Sequence, residues 1–420
     1  MTKNRIGGPL KYSAGIFAFL VAYSLTAVCG FSLPRVSASL YAFHVVDFGM
    51  GFCSKLLPGA VFSFFVREPS SAAASVFDAA LLLLFFGGVA ALLGKRLRDA
   101  LQRPRDGELL LLFLFLTGPA SFAIYASEPG FVDFYWLIFA LLFLFFLSNK
   151  YLYLLILPLP ALCILTHFSA LLCAIPFFAV ILLYKLTECG TKGEKTLLAS
   201  VGALSLAAAA SLFLYLLLNE KNNLVYSMSE FDAILKSRGA EVTSYFDYVF
   251  YGSGETVERV AESGYTPIDA SGGGIIIKAL AAVRNQIRWN AALLDKAGWQ
   301  VLPGRIALLL LVSPLAALLL GFVFKGVGRN RSFLRKLAYI TAGAAFFITL
   351  VFGMVFSTDY SRYVTLSVLP LFTFTLYAAF RERDAAAAYF GGVTARVPTL
   401  WRILYCAVYA LTVIPPTDWV

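Results

Sequence analysis

The chain is poor in charge. Only 14% of its 420 residues are Asp, Glu, Lys or Arg, and only two are histidine, while 60% are hydrophobic. A soluble globular domain carries roughly 25% charged residues and about 45–50% apolar ones. No ordinary core could bury this much apolar surface, so lipid is the implied solvent. The six cysteines form no Cys-x-x-Cys and no zinc spacing, which argues against a disulfide framework or a cysteine metal centre. Nucleotide-binding loops, internal repeats and low-complexity linkers are all missing. The formal net charge is +10, but the basic residues lie mostly in short loops between apolar runs, where they set orientation. Nucleic acid is therefore not expected as a partner.

What is present is a series of apolar runs of about the 20 residues that a helix needs to cross a bilayer. The pattern predicts an all-α, polytopic transmembrane bundle of eleven spans. They fall near 13–33, 74–94, 108–126, 131–148, 151–166, 168–186, 196–218, 302–324, 337–357, 363–380 and 402–416. Lys3, Arg5 and Lys11 precede the first run, but no small-residue cleavage site ends it, so it reads as a retained span. With the N-terminus cytoplasmic, the inner loops collect Lys95, Arg96, Arg98, Arg103 and Arg105; Lys150; Lys185, Lys192 and Lys195; Lys325, Arg329, Arg331, Arg335 and Lys336; and Arg381, Arg383, Arg396 and Arg402. That is most of the 34 basic residues, as the positive-inside rule requires.

Three regions follow: an N-terminal membrane module over 1–218, an extracytoplasmic loop or cap over 219–301, and a C-terminal membrane module over 302–420. The first outer loop, 34–73, is apolar but too broken by Gly and Pro to cross, and is expected to lie along the interface as short amphipathic helices. The long outer loop holds an aromatic stretch (Tyr245, Phe246, Tyr248, Phe250, Tyr251), then Gly272-Gly273-Gly274, and a helical pattern through Trp289.

No ionisable residue falls near the middle of an expected span. Placing one there costs about 2.5–3.5 kcal/mol or more, a cost that ion-coupled transporters accept because their sites lie at the midplane. The isolated ionisable groups instead sit where spans meet the outer interface. Asp47 lies in Val45-Val46-Asp47-Phe48-Gly49-Met50-Gly51-Phe52. It can serve as a carboxylate base or metal ligand, or cap a short helix. Lys55 follows it. Asp133 opens the fourth span, where the helix dipole favours a carboxylate. His167 sits at the junction of spans five and six. His44, three residues before Asp47, could share a helix face with it or serve a structural role. Arg362, in Thr358-Asp359-Tyr360-Ser361-Arg362-Tyr363, can grip a phosphate through two parallel bonds. Arg284 and Arg288, four apart, would form one cationic helix face for a diphosphate or for lipid headgroups.

Carboxylates, one histidine and arginines at the outer face suit chemistry on a lipid-linked substrate, whose tails lie in lipid and whose reacting carbon lies at headgroup level. A base there can activate an acceptor hydroxyl, and Arg, Lys or a divalent metal can stabilise the departing phosphate. The layout resembles the GT-C superfamily of integral-membrane glycosyltransferases and, more loosely, bacterial polysaccharide polymerases. Asp47 matches the acidic residue that the GT-C family places in its first outer loop. Gly130-Phe131-Val132-Asp133 matches a Gly-x-x-Asp found near the start of a later span. His167 matches a histidine at an outer span end, although Phe168 stands where an acid often follows. The resemblance covers the layout of the first 190 residues or so.

It implies an inverting transfer from a polyprenyl-phosphate-linked sugar to a glycan or lipid acceptor at the extracytoplasmic face. The catalytic candidates are then Asp47, Asp133 and His167, and the phosphate-binding candidates Lys55, Arg284, Arg288 and Arg362. A divalent metal, Mg or Mn, is admitted as cofactor, with no ligand set assigned. Two other functions compete: a polysaccharide polymerase or ligase acting on diphosphate-linked glycans through Arg and His, and a lipid flippase or transporter.

Overall fold

A computed structural model of the chain describes residues 7–102, 107–129, 131–219, 224–240, 302–356 and 360–413, together with 277, 281, 284, 285 and 288. Among these residues the structure is all-helical, and one isolated bridge joins Gly51 to Leu224. The α-helices, in chain order, are α1 (Gly7–Tyr23), α2 (Ala38–Val45), α3 (Leu57–Phe65), α4 (Ser71–Gln102), α5 (Glu108–Leu116), α6 (Val132–Leu147), α7 (Leu159–Thr166), α8 (Ala174–Leu186), α9 (Lys192–Asn219), α10 (Met228–Ser237), α11 (Leu302–Arg329), α12 (Phe333–Phe356), α13 (Tyr360–Ala379), α14 (Arg383–Thr394) and α15 (Thr399–Leu411).

Six helical stretches among the described residues are long and apolar enough to cross a membrane: Leu10–Val28, Ser71–Gln102, Ser169–Leu186, Lys192–Leu216, Pro303–Arg329 and Phe333–Gly353. The chain is thus a membrane-embedded helical protein. Val132–Leu147, Lys150–Thr166 and Thr399–Leu411 are shorter apolar helices.

Two expected spans are not single helices. Near 108–126, α5 stops at Leu116, because Gly118 adopts φ +79° and Pro119 has no N–H to continue the ladder. A 3-10 turn, Phe122–Ala126, follows. The backbone groups freed by this break are met from other helices. Gly118 N–H donates to the Tyr23 hydroxyl at 2.8 Å, Tyr23 donates to the Ala410 carbonyl at 2.7 Å, and Thr365 donates to the Pro119 carbonyl at 2.8 Å. Irregular backbone within a membrane is tolerated when protein satisfies it in this way. Near 151–166, a 3-10 segment, Lys150–Ile156, gives way at Pro158 to α7. The helix α14 stands where only an inner loop was expected.

The expected cap at 219–301 is described over 224–240, where α10 folds back, and at five scattered residues. The aromatic stretch 245–251, Gly272–Gly274 and Trp289 lie outside the described residues, as do Gly130, Asp359, Arg103 and Arg105.

Small residues set the closest helix approaches, as they do where helices pack without a hydrophobic drive from water. Helix α1 runs along α4, and a Cβ built on Gly94 would lie 2.0 Å from the Ser13 hydroxyl and 2.9 Å from its backbone nitrogen. Helix α12 packs among α8, α11 and α13, and α7 against α6 and α9.

The segment 34–73 forms the two short helices α2 and α3, joined by a 3-10 turn at Phe48–Met50. A Cβ on Gly59 would meet the Val46 carbonyl oxygen at 1.7 Å and the Phe43 oxygen at 2.9 Å. Both obstacles are backbone and cannot swing aside. Gly59→Ala is therefore expected to destabilise the fold by ~3 kcal/mol, the upper part of the usual overpacking range, as a drop in thermal midpoint of the detergent-solubilised protein.

Helix directions define two ends of the bundle. Asp133 and Arg362 lie in the first turns of α6 and α13, and Asp78 lies at the start of the third turn of α4. The far ends of the same helices carry Arg96, Ser148 and Arg381. Arg362 and Arg381 are separated by 19 residues, roughly 28 Å of helix rise.

At this second end the basic residues of the expected inner loops meet acidic and hydroxyl partners. Glu382 accepts from Tyr184 at 2.9 Å and Tyr339 at 3.1 Å, and is bound by Arg329. Arg335 donates to Thr187 at 2.8 Å, and Arg381 pairs with Glu188.

Candidate functional site

At the first end, Arg362 of α13 and Asp133 of α6 form a buried ion pair with side-chain exposures of 6% and 0%. The guanidinium donates in a fork: Nε to Asp133 Oδ2, and Nη2 to Oδ1 at 3.1 Å. Ser169 closes the arrangement, its hydroxyl donating to Asp133 Oδ1 at 2.7 Å and accepting from Arg362 Nη2 at 3.3 Å. His167 Nδ1 accepts from the Ser169 N–H at 2.9 Å and faces Arg362 Nη2 at 3.3 Å. Both neighbours are donors, so Nδ1 is the unprotonated nitrogen and the ring proton sits on Nε2. The ring of Phe131 lies 5.1 Å from the guanidinium carbon, within cation–π range.

Local sequence explains this placement. His167 is the shared residue between the C-terminus of α7 and the 3-10 turn Phe168–Leu171, extended at φ −169°, ψ 146°, where its side chain caps the turn. Capping this turn is what holds the imidazole beside Arg362.

Lys55 reaches the same turn by backbone, its N–H donating to the Leu165 carbonyl at 2.9 Å from a left-handed conformation, φ +74°. Its charge acts on His167. The Tyr125 hydroxyl is fully buried within electrostatic reach of Asp133 and Arg362, and has no hydrogen-bond partner among the described residues.

Asp47 belongs to a separate pair at this end. It caps the turn Phe48–Met50, accepting the Gly49 N–H at 2.8 Å, and binds Arg238 Nη1 at 3.1 Å. The two side chains are 25% and 35% exposed, unlike the sealed Arg362–Asp133 pair. Arg238 also donates to the Val45 carbonyl, and its own carbonyl accepts from Tyr41 at 3.0 Å. It stands just past α10, which starts at a capping box: Ser227 donates to Glu230 from both N–H and hydroxyl, and the hydroxyl holds the Glu230 carboxyl below its ordinary value. Val225 N–H donates to the Met50 carbonyl at 3.0 Å, pinning this segment to the Asp47 loop.

The sequence reading missed Arg238. The Ser-x-x-Glu box was available as a helix-start signal, but nothing in the linear pattern tied Arg238 to a residue 191 positions earlier.

His44 does not pair with Asp47. It lies in a second buried constellation with Asp78 and Tyr135, the His44 and Asp78 side chains both 0% exposed. His44 Nε2 is 2.8 Å from Asp78 Oδ2, Tyr135 donates to Asp78 Oδ1 at 2.9 Å, and His44 Nδ1 faces the Leu40 carbonyl at 3.1 Å. Asp78 sits a few residues inside the expected second span, a position that an eye fixed on span centres passes over.

Arg284 and Arg288 are helical and exposed, and most residues around them lie outside those described. The structure thus brings together Asp133, His167 and Arg362, places Lys55 beside them, and sets Asp47 against Arg238.

Compared with models of known protein families, with curated proteins and with solved structures, the chain matches none.

The chemistry of the end must be read from its groups. The Arg362 guanidinium fork is taken up by the Asp133 carboxylate, with the His167 imidazole beside it. A carboxylate a quarter exposed, whose partner is about a third exposed, can change partners. Among the described residues no three or more His, Cys, Asp and Glu side chains gather as a metal site. All six cysteines are free thiols.

Proposed function

We infer that the protein is a membrane glycosyltransferase that moves a sugar from a polyprenyl-phosphate-linked donor to an acceptor, working at the end of the bundle that carries Asp47 and Arg362 and facing away from the cytoplasm. The observation that carries this reading is the meeting, at one end of the bundle, of an exchangeable carboxylate–guanidinium pair, Asp47–Arg238, and a fixed cationic cluster at Arg362.

A phosphate arriving beside Arg238 competes with Asp47 for its guanidinium. The released carboxylate then accepts the proton of the acceptor hydroxyl as that oxygen attacks the anomeric carbon. The carbon–oxygen bond to phosphate breaks, and its electron pair leaves with the phosphate. Arg238 and Lys55 would meet that growing charge, and Arg362, oriented by Asp133, Ser169 and His167, would add a fixed positive potential. Asp133 has both oxygens engaged by Arg362 and Ser169, so its role here is to position the arginine. The inner-loop basic residues, gathered at the opposite end, would face the cytoplasm.

The contact between Arg362 and His167 favours a second reading, a polysaccharide polymerase or ligase that handles a diphosphate-linked glycan through Arg and His. One assay separates the two. The full chain in proteoliposomes is supplied with a polyprenyl-phosphate-linked sugar and an acceptor. Asp47→Asn is expected to lower transfer by about 10²–10⁴-fold, the usual weight of a general base, while Arg362→Lys, which keeps the charge but loses the fork, has the smaller effect. Full activity in Asp47→Asn would remove that carboxylate from the mechanism, and a larger loss in Arg362→Lys would favour the second reading.

A further inference from the structure

A cavity of about 290 Å³ lies between α4, α5, α6 and α13, on the side of the bundle away from Arg362. Its deep end is formed by Phe85, Phe122 and Trp136, and its mouth by Arg96, Ser148 and Arg381. The walls between are otherwise apolar apart from Thr373 and Tyr377. We propose that this cavity holds one acyl chain of an anionic glycerophospholipid, with the phosphodiester at Arg96 and Arg381.

Length is the first reason. From Trp136 to Ser148 along α6 is 12 residues, about 18 Å at 1.5 Å per residue. One leaflet of a ~30 Å hydrocarbon core is about 15 Å deep. The cavity therefore reaches from headgroup level to about 3 Å beyond the midplane, long enough for an acyl chain.

Charge is the second. Arg96 has the Phe380 carbonyl at 3.5 Å and the Phe380 ring at 5.0 Å as its closest partners, with Asp99 and Glu108 only in electrostatic reach. Asp99 is already held by Arg98 at 2.8 Å and Arg383 at 3.1 Å, and Glu188 by Arg381. Four guanidinium groups thus face Asp99, Glu108 and Glu188, leaving the mouth positive. A phosphodiester without a compensating ammonium fits that excess better than a zwitterionic head.

This site is independent of the transferase reading, since it lies at the other end of the bundle. Full-length protein in detergent is titrated with phosphatidylglycerol or phosphatidylcholine of the same chains and read by native mass spectrometry. Wild type is expected to retain one phosphatidylglycerol under activation that strips phosphatidylcholine. R96Q/R381Q should bind it at least about tenfold more weakly, and R96K/R381K close to wild type. A140F, which fills the cavity and keeps both arginines, should abolish retention. Undiminished binding by R96Q/R381Q, or competition by chain-free glycerophosphoglycerol, would overturn the proposal. Circular dichroism and monodisperse elution confirm the fold of each variant, and the arginine pair decides the matter should A140F fail to fold.

Discussion

Arg362→Ala is expected to destabilise the protein by about 3–5 kcal/mol, because it leaves the Asp133 carboxylate buried with only Ser169 to bond it. Asp133→Ala should cost a similar amount by stranding the guanidinium. Replacing both together, Asp133→Leu with Arg362→Met, should recover most of the loss, since two buried charges exchanged for apolar groups of like volume cost little or can stabilise. Thermal or chemical unfolding of wild type, Asp133→Leu, Arg362→Met and the double variant in one detergent gives the double-mutant cycle, and a coupling energy of at least about 2 kcal/mol is expected for groups in direct contact within one network. Single variants as stable as wild type would mean that water reaches the pair and that it is an ordinary surface interaction. The same experiment separates structure from chemistry. A folded double variant without transfer activity would assign the cationic cluster a functional role, whereas one with full activity would leave it purely structural.

Much of this architecture was legible in the linear pattern because lipid imposes a single strong rule: backbone bonds must close within each apolar run. The long helices α4, α9, α11 and α12 lie where uninterrupted apolar stretches place them. Breaks at Gly118-Pro119 and at Pro158 were harder to place, since the apolar signal runs straight through them and only the backbone chemistry of those residues stops the helix. The meeting of Asp133, His167 and Arg362 was anticipated as a common level in the membrane. Their partners could not be, because Ser169 and Arg238 carry no special signal until the chain folds. For Asp47 the helix-cap expectation holds, through the Gly49 N–H, and the pair with Arg238 leaves the carboxylate a quarter exposed. The bond from His44 to Asp78, rather than to Asp47, shows the limit of spacing arguments. Three residues apart on paper, His44 and Asp47 are separated by the end of α2 at Val45, after which the chain turns away.

The His44–Asp78–Tyr135 constellation should tolerate one substitution and reject another at the same position. His44 Nδ1 faces the Leu40 carbonyl and must donate to it. One further proton lies between Nε2 and Asp78 Oδ2, and the other carboxylate oxygen accepts from Tyr135. In Asp78→Asn the amide nitrogen can donate to Nε2 while the amide oxygen accepts from Tyr135, so every group keeps a partner and the buried charge disappears. The expected cost is below about 1 kcal/mol, as for exchanges that leave no polar group unsatisfied. Asp78→Ala instead removes both acceptors, stranding Tyr135 and His44 Nε2 in a site with no exposure and leaving a void. Two unmet polar groups at ~1–3 kcal/mol each make a loss of roughly 2–6 kcal/mol the expected result. His44→Ala should fall in the same range by leaving the carboxylate with Tyr135 alone. Unfolding midpoints of Asp78→Asn, Asp78→Ala and His44→Ala in the same detergent test the ordering. If Asp78→Asn proves as damaging as Asp78→Ala, the negative charge itself is required, and the constellation holds an ion pair that cannot be replaced by neutral hydrogen bonds.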